Sequence, residues 1–325
     1  MVDFAERAEH WKLLDNEALT RVRGHEFIAR GLVQGAISGR HRSPYKGFSS
    51  EFAEHREYAP GDPLSDLDWR VYGRSDRYYI KQYVEETNLR ATILLDASGS
   101  MSYAGGMAAE RDGKRLNKFE FAQRLAACLA HLLINQQDAV GLVTLDTKIR
   151  QRIPARSRTT HLQTLIQELY ATEPGDETAL APIFHDVAES IPRRSVVFVI
   201  SDLFDDPTAL LEALHHFRYR RHEVVVLHVM AQEELTFPFQ RWSLFEDLED
   251  VVGDQQIDPR SIRAAYLREV QNFVSAMESG CGRLHIDYVQ MSTQQPYDVA
   301  LSNYLAHRKS LAGIASRGSS RFSAT

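Results

Sequence analysis

The chain has 325 residues, 43% hydrophobic and 25% charged, with a formal net charge of -6, a globular composition that excludes large-scale disorder. Its acidic balance gives no electrostatic ground for a nucleic-acid or anionic-lipid partner, which would show as an excess of Lys and Arg. Two cysteines, Cys128 and Cys281, supply neither a disulfide framework nor a zinc knuckle and suit a reducing compartment.

The opening MVDFAERAEHWKLLD lacks the basic head and apolar run of a signal peptide, and no apolar run is long enough to cross a bilayer, so the sequence predicts a soluble, cytoplasmic protein. Residues 1–89 read as an accessory region rich in β-structure. Within it, residues 4–34 have patchy helical spacing, HRSPYKGFSSEFAEHREYAPGDP has strand alternation ending in the turn Pro60-Gly61-Asp62, and residues 78–87 form a second strand. Arg56, Tyr58, Asp62, Asp68, Trp69 and Arg74 are expected mainly to pack and pair within this layer.

From Arg90 the texture changes to apolar strand runs alternating with amphipathic helices, the pattern of a doubly wound, mostly parallel α/β sheet with helices on both faces. The strands are ATILLD, AVGLVTLD, RSVVFVISD, EVVVLHVM and RLHIDYVQM. Between them Ala122, Leu125, Ala126, Leu129, Leu132 and Leu133 recur at helical spacing, as do Leu162, Leu165, Ile166 and Leu169, and again Leu210, Leu211, Leu214 and Phe217. Residues 235–256 read as an irregular insert and 259–277 as a further helix. The α/β domain is expected over residues 90–310, followed by a disordered Ser- and Arg-rich tail at 311–325.

Chemistry concentrates where ATILLD ends. Asp96 is followed by Ala97, Ser98, Gly99 and Ser100, which places a carboxylate and two hydroxyls at the carboxyl end of a buried strand, the edge where open α/β sheets bind ligands. Thr178, just before a helix, and Asp202, at the end of another apolar strand, stand at matching topological positions. Asp96, Ser98, Ser100, Thr178 and Asp202 form an all-oxygen set that suits Mg²⁺, with Mn²⁺ and Ca²⁺ as alternatives, and poorly suits zinc. For Asp205 and Asp206 helix capping suffices, Asp146 is expected to face water, and His215, His216 and His222 match no metal-ligand spacing and read as a solvated helix end.

Two other functional classes fit less well. A metal-assisted hydrolase using Asp96 or Ser98 as nucleophile would need a positioned base, and no histidine falls at a site position; Ser98 also lacks the GxSxG elbow. A nucleotide-binding protein would carry GxGxxG or GxxxxGK[ST] after a strand, and neither occurs.

DASGS matches the DxSxS adhesion-site motif of von Willebrand factor A domains, with Thr178 as its distant threonine and Asp202 in ISD as its distal aspartate. Upstream, REYAPGDPLSDLDWRVYGRSDRYYIKQYVEET and then LLDASGSM resemble the bacterial domain of unknown function fifty-eight family over roughly residues 43–308. The sequence departs from that pattern at Pro63, Leu64 and Ser65, where an arginine is common, and at Gly73, where alanine is usual. The resemblance implies a von Willebrand factor A-like fold and a metal-dependent adhesion site that binds an acidic residue of a partner without catalysing a reaction. It also implies partnership with a MoxR-type AAA+ ATPase or another von Willebrand A protein, in a chaperone-like or adaptor role.

Overall fold

The computed structural model describes residues 10–29, 51–58, 68–75, 77–84, 89–111, 113–175, 180–245 and 255–319. Its centre is a six-stranded sheet built from β1 (Arg90–Asp96), β2 (Ala139–Leu145), β3 (Ile149–Arg156), β4 (Val196–Ser201), β5 (Glu223–Met230) and β6 (Asp287–Ser292). The spatial order is β6-β5-β4-β1-β2-β3. All neighbours are parallel except β2 and β3, which form an antiparallel edge. This is the doubly wound order, with its switch point between β1 and β4.

The inner strands read as continuous apolar runs because both faces are covered: every residue of β4 and β5 is buried, and β1 is buried from Ala91 onward. Their side chains alternate between two cores. Ile93 and Leu95 join α1 (Lys118–Asn135), α2 (Thr159–Ala171) and α7 (Tyr297–Ser319) on one face. Leu94 joins α3 (Leu180–Ser190), α4 (Pro207–Tyr219) and α6 (Pro259–Arg283) on the other. A short helix, α5 (Gln232–Thr236), follows β5. Helix α1 starts at a capping box, with Asn117 Oδ1 accepting from the Glu120 N–H (2.7 Å) and Glu120 Oε2 accepting from the Asn117 N–H (3.1 Å).

The five strands read from the sequence are all present, and the fold is von Willebrand factor A-like in strand order. The sixth, β3, escapes notice because IRQRIPAR is largely exposed; it carries Arg on its outer face and Pro154, features of an edge strand. Residues 10–29 lie in the expected accessory region, yet Leu13, Leu14, Ala18, Val22 and Phe27 belong to the core on the α1 side. Arg308 clamps this segment, donating from Nε to the Ile28 carbonyl (2.7 Å) and lying over the Phe27 ring (4.2 Å) while pairing with Glu223 and Asp287.

Glu51–Glu57 and Tyr79–Val84 pair as an antiparallel two-stranded sheet, with the helix Trp69–Ser75 between them in the chain, in keeping with the β-rich reading; the Pro60-Gly61-Asp62 turn and Pro63, Leu64 and Ser65 lie outside the described residues. The insert at 235–256, expected to be irregular, contributes Ser243–Phe245 to a short antiparallel pair with Gln255–Ile257. The disordered tail expected from residue 311 needs correction, since α7 continues to Ser319; Leu311, Ala312 and Ala315 are strong helix formers that carry it on. Residues 320–325 lie outside the described residues. Cys128 and Cys281 are free and buried in opposite cores. Among the described residues no helix is long and apolar enough to cross a membrane.

Candidate metal centre

Strand β1 delivers Asp96 to the carboxyl edge of the sheet, and the chain then turns sharply. The Ala97 N–H still bonds the Leu145 carbonyl (2.7 Å). Asp96 Oδ1 accepts from the Ser98 N–H (3.0 Å), and Gly99–Ser102 forms a short 3-10 turn anchored by buried Met101. That turn brings Ser98 Oγ and Ser100 Oγ within 3.1 Å of each other. The second oxygen of Asp96 accepts from Ser201 Oγ at the end of β4 (2.5 Å), and the same hydroxyl accepts from the Leu203 N–H (2.8 Å).

Asp202 follows β4 directly, near enough to Ser100 and Asp96 for Ser100 to lower its pKa and for its charge to raise that of Asp96, so four of the five expected ligands, Asp96, Ser98, Ser100 and Asp202, converge. Leu203 has φ of 54°, a left-handed conformation that costs a β-carbon-bearing residue about 1–2 kcal/mol and sharpens the turn after Asp202. Thr178 lies outside the described residues. Its flanks are tied to the two loops: the Gly175 N–H bonds the Ala97 carbonyl (2.7 Å), and Asp205 Oδ2 accepts from the Leu180 and Ala181 N–H groups (3.0 and 3.2 Å). Asp205 therefore caps α3, and Asp206 caps α4 by accepting from the Ala209 N–H (2.8 Å). Asp146 is buried, contrary to the expectation that it faces water: it pairs with Arg150, which donates to the Glu173 carbonyl and so braces the approach to residue 175.

Four further groups complete the surroundings, and no sequence motif announces them. Lys118, the first residue of α1, is buried, with Nζ 2.7 Å from both Asp202 Oδ2 and Glu234 Oε1. Glu234 also accepts from the Ala231 N–H through its other oxygen (2.7 Å). His228 donates from Nε2 to the Asp202 carbonyl (2.9 Å), and its Nδ1 meets Tyr288 Oη (2.5 Å). Ser201 is the hydroxyl that bridges the two loops. Lys118 opens an amphipathic helix that carries other polar residues, and its partners are 84 and 116 residues away, so no spacing points to them.

The two carboxylates are held differently. Burial, and next the charge of Asp202, push Asp96 up from 3.8 to about 7, against the hydrogen bonds from Ser201 and Ser98. Burial would raise Asp202 as well, but the Lys118 ammonium and its hydrogen bond, with Ser100, hold it below its ordinary value. Lys118 in turn is held above its ordinary value, its burial outweighed by Asp202 and Glu234. Burial lowers His228 to about 4, leaving it neutral near pH 7. Lys118 thus pairs with Asp202 and Glu234, and Asp96 has no cation of its own among the groups that set its pKa.

This chemistry fits a hard dication. Among the described residues no three His, Cys, Asp or Glu side chains gather to hold a metal; the donors here are two carboxylates and two hydroxyls, oxygens that suit Mg²⁺. Beside Asp202 and Lys118 opens a cleft of about 660 Å³ walled by Leu203, Phe204, Tyr266 and Phe273, with Phe204 68% exposed. Elsewhere His222 is buried, which corrects its reading as part of a solvated helix end: its Nδ1 accepts from the Ser195 N–H (3.4 Å).

Several known proteins are similar to this chain. An uncharacterized protein of Mycobacterium tuberculosis, Rv1480, and one of Mycobacterium bovis, Mb1516, are each 26% identical over 253 residues, covering 75% of both chains. Among solved structures, the conserved hypothetical protein BatB from Bacteroides thetaiotaomicron is similar with a TM-score of 0.45 at 17% identity, covering 69% of this chain and all of that one. The SpRpn10 VWA domain is similar with a TM-score of 0.36 at 13% identity, covering 66% and 94%. The strand order carries the fold assignment independently of these likenesses. The family described as protein of unknown function DUF58 matches residues 54–273, well over half of the sequence, and the chain belongs to that family.

Proposed function

We propose that this chain is a metal-dependent protein-binding module of the cytoplasm, in which Asp96, Ser98, Ser100, Thr178 and Asp202 hold Mg²⁺ directly or through water and a partner supplies an Asp or Glu. The observation that carries this reading is the convergence of two buried carboxylates and two hydroxyls at the switch point of the sheet, where the Lys118 ammonium pairs with Asp202 and not with Asp96. When bound, the dication supplies the dominant local positive charge and a coordination position for an incoming carboxylate oxygen. The free, buried cysteines suit a reducing compartment.

The chain's own residues do the positioning. Lys118 fixes one oxygen of Asp202, Ser201 and the Ser98 N–H fix both oxygens of Asp96, and Asp205 ties the start of α3 to the Asp202 loop. Hydrolysis is poorly supported, because His228, the histidine that reaches this loop, has both ring nitrogens engaged. The partner, a MoxR-type AAA+ ATPase or another von Willebrand A protein served in a chaperone-like or adaptor role, rests on the family resemblance.

A pull-down from a lysate of the source organism tests the proposal, comparing wild type with Mg²⁺, wild type with EDTA, and Ser98→Ala/Ser100→Ala, with retained proteins identified by mass spectrometry. The expected result is a MoxR-type ATPase or von Willebrand A protein retained by the metal-loaded wild type alone. Equal retention in all three samples would contradict metal dependence.

A further inference from the structure

Away from the sheet edge, α3 and α4 pack side by side and bring two histidines together. His185 Nδ1 and His216 Nδ1 are hydrogen-bonded at 2.9 Å, with ring centroids 5.1 Å apart and planes inclined at 43°, so one of these nitrogens carries the shared proton that a metal ion would replace. The opposite nitrogen of His216, Nε2, lies 3.9 Å from Glu189 Oε1, and Glu189 stands one helical turn beyond His185 on α3. His185 is exposed and His216 half-buried, so solvent reaches the pair.

We propose that His185 and His216 form a second metal site, for a borderline transition-metal ion of the copper and nickel class, with Glu189 as a positioning residue. A neutral imidazole carries one proton, and the negative charge of Glu189, 3.9 Å from Nε2 and so beyond hydrogen-bond distance, favours that proton on Nε2 by electrostatics alone; the Nδ1 of His216 is then the acceptor of the His185 bond. Two nitrogens bound at about 2.0–2.1 Å and spaced as these are would subtend an angle of roughly 90° at the metal. That is the cis edge of a square-planar or octahedral shell, shorter than the ~3.3 Å edge of a tetrahedral zinc site. Affinity order also favours Cu²⁺ and Ni²⁺ over Zn²⁺. Among the described residues no third His, Cys, Asp or Glu side chain joins them, so water completes the shell.

The site is independent of the adhesion-site reading and is chemically separable from it, since imidazole suits these ions and the hydroxyl and carboxylate set suits Mg²⁺. Its position gives it a structural consequence. Helix α3 begins just after residues 176–179 and α4 just after the Asp202 loop, so an ion bridging His185 and His216 clips together the two helices that lead away from the adhesion site.

The test uses the full-length chain without a histidine tag, titrated with Cu²⁺ and Ni²⁺ by calorimetry and followed for Cu²⁺ by electron paramagnetic resonance. The expected result is one tight Cu²⁺ per chain with the nitrogen hyperfine pattern of two imidazoles. Affinity falls on the order of tenfold or more in His185→Ala and in His216→Ala, and is unchanged in Ser98→Ala/Ser100→Ala. Ni²⁺ raises the melting temperature of wild type and not of the histidine variants, whose metal-free melting temperatures confirm that they fold. Cu²⁺ binding that survives in His185→Ala/His216→Ala, or a spectrum without two imidazole nitrogens, overturns the proposal.

Discussion

Asp96 and Asp202 end neighbouring parallel strands and are nearly equally buried, 1% and 8% exposed, yet their charges are balanced in different ways. The loop after β4 holds Asp202 against the Lys118 ammonium, and its carboxylate is stable as an anion. The loop after β1 gives Asp96 only hydrogen bonds, from the Ser98 N–H and Ser201 Oγ, and its charge is disfavoured. Hydrogen bonds alone do not offset the desolvation of a buried charge next to another of the same sign. Under the proposed function the cation sits by Asp96 and the two serines, on the side that Lys118 does not serve.

The largest expected effect comes from removing that resident ammonium. Lys118→Met leaves Asp202 buried without its cation, and the expected loss is roughly 3–5 kcal/mol in urea unfolding, the range for breaking one partner of a buried ion pair. A variant as stable as wild type would show that Asp202 does not depend on Lys118 and would remove the contrast between the loops.

The pH dependence of the metal-free protein sharpens the same contrast. Asp96 has a folded value near 7 against an ordinary 3.8, so the folded state binds its proton more tightly than the unfolded chain does. Stability linked to that proton is complete below pH 3.8 and is lost as pH rises toward about 7. Asp202 works in the opposite sense, contributing stability above its ordinary value that is lost as pH falls through its lowered one. Melting temperature measured in EDTA from pH 5 to pH 8 should decline from the Asp96 contribution, and Asp96→Asn should flatten that decline; an unchanged slope in Asp96→Asn would place the proton elsewhere.

The smallest expected effect is at the cap that joins the Asp202 loop to α3. Asp205→Ala removes the acceptor of the Leu180 and Ala181 N–H groups and should cost about 1 kcal/mol by urea unfolding. A loss below the error of that measurement would mean that another group caps α3.

Much of this was readable from the residues because it is local. The buried strands announce themselves as apolar runs, and DASGS places its carboxylate and hydroxyls within five consecutive residues. Asp202 was legible because the end of a buried parallel strand is where such folds bind ligands. Other parts depend on distant pieces of chain meeting. Lys118, Ser201, His228 and Glu234 act on the site through contacts that no spacing encodes. The same holds for Phe27, whose burial depends on Arg308 and α7, and for β3, whose exposed outer face dilutes the apolar pattern.

The most direct test of the central claim is calorimetric titration of the metal-free protein with Mg²⁺, for wild type and Ser98→Ala/Ser100→Ala, at pH 6 and pH 8. The account predicts one Mg²⁺ per wild-type chain, bound more tightly at pH 8, where Asp96 has lost its proton, and binding weakened at least about tenfold in the double variant. No binding by wild type, or equal binding by both proteins, would contradict it.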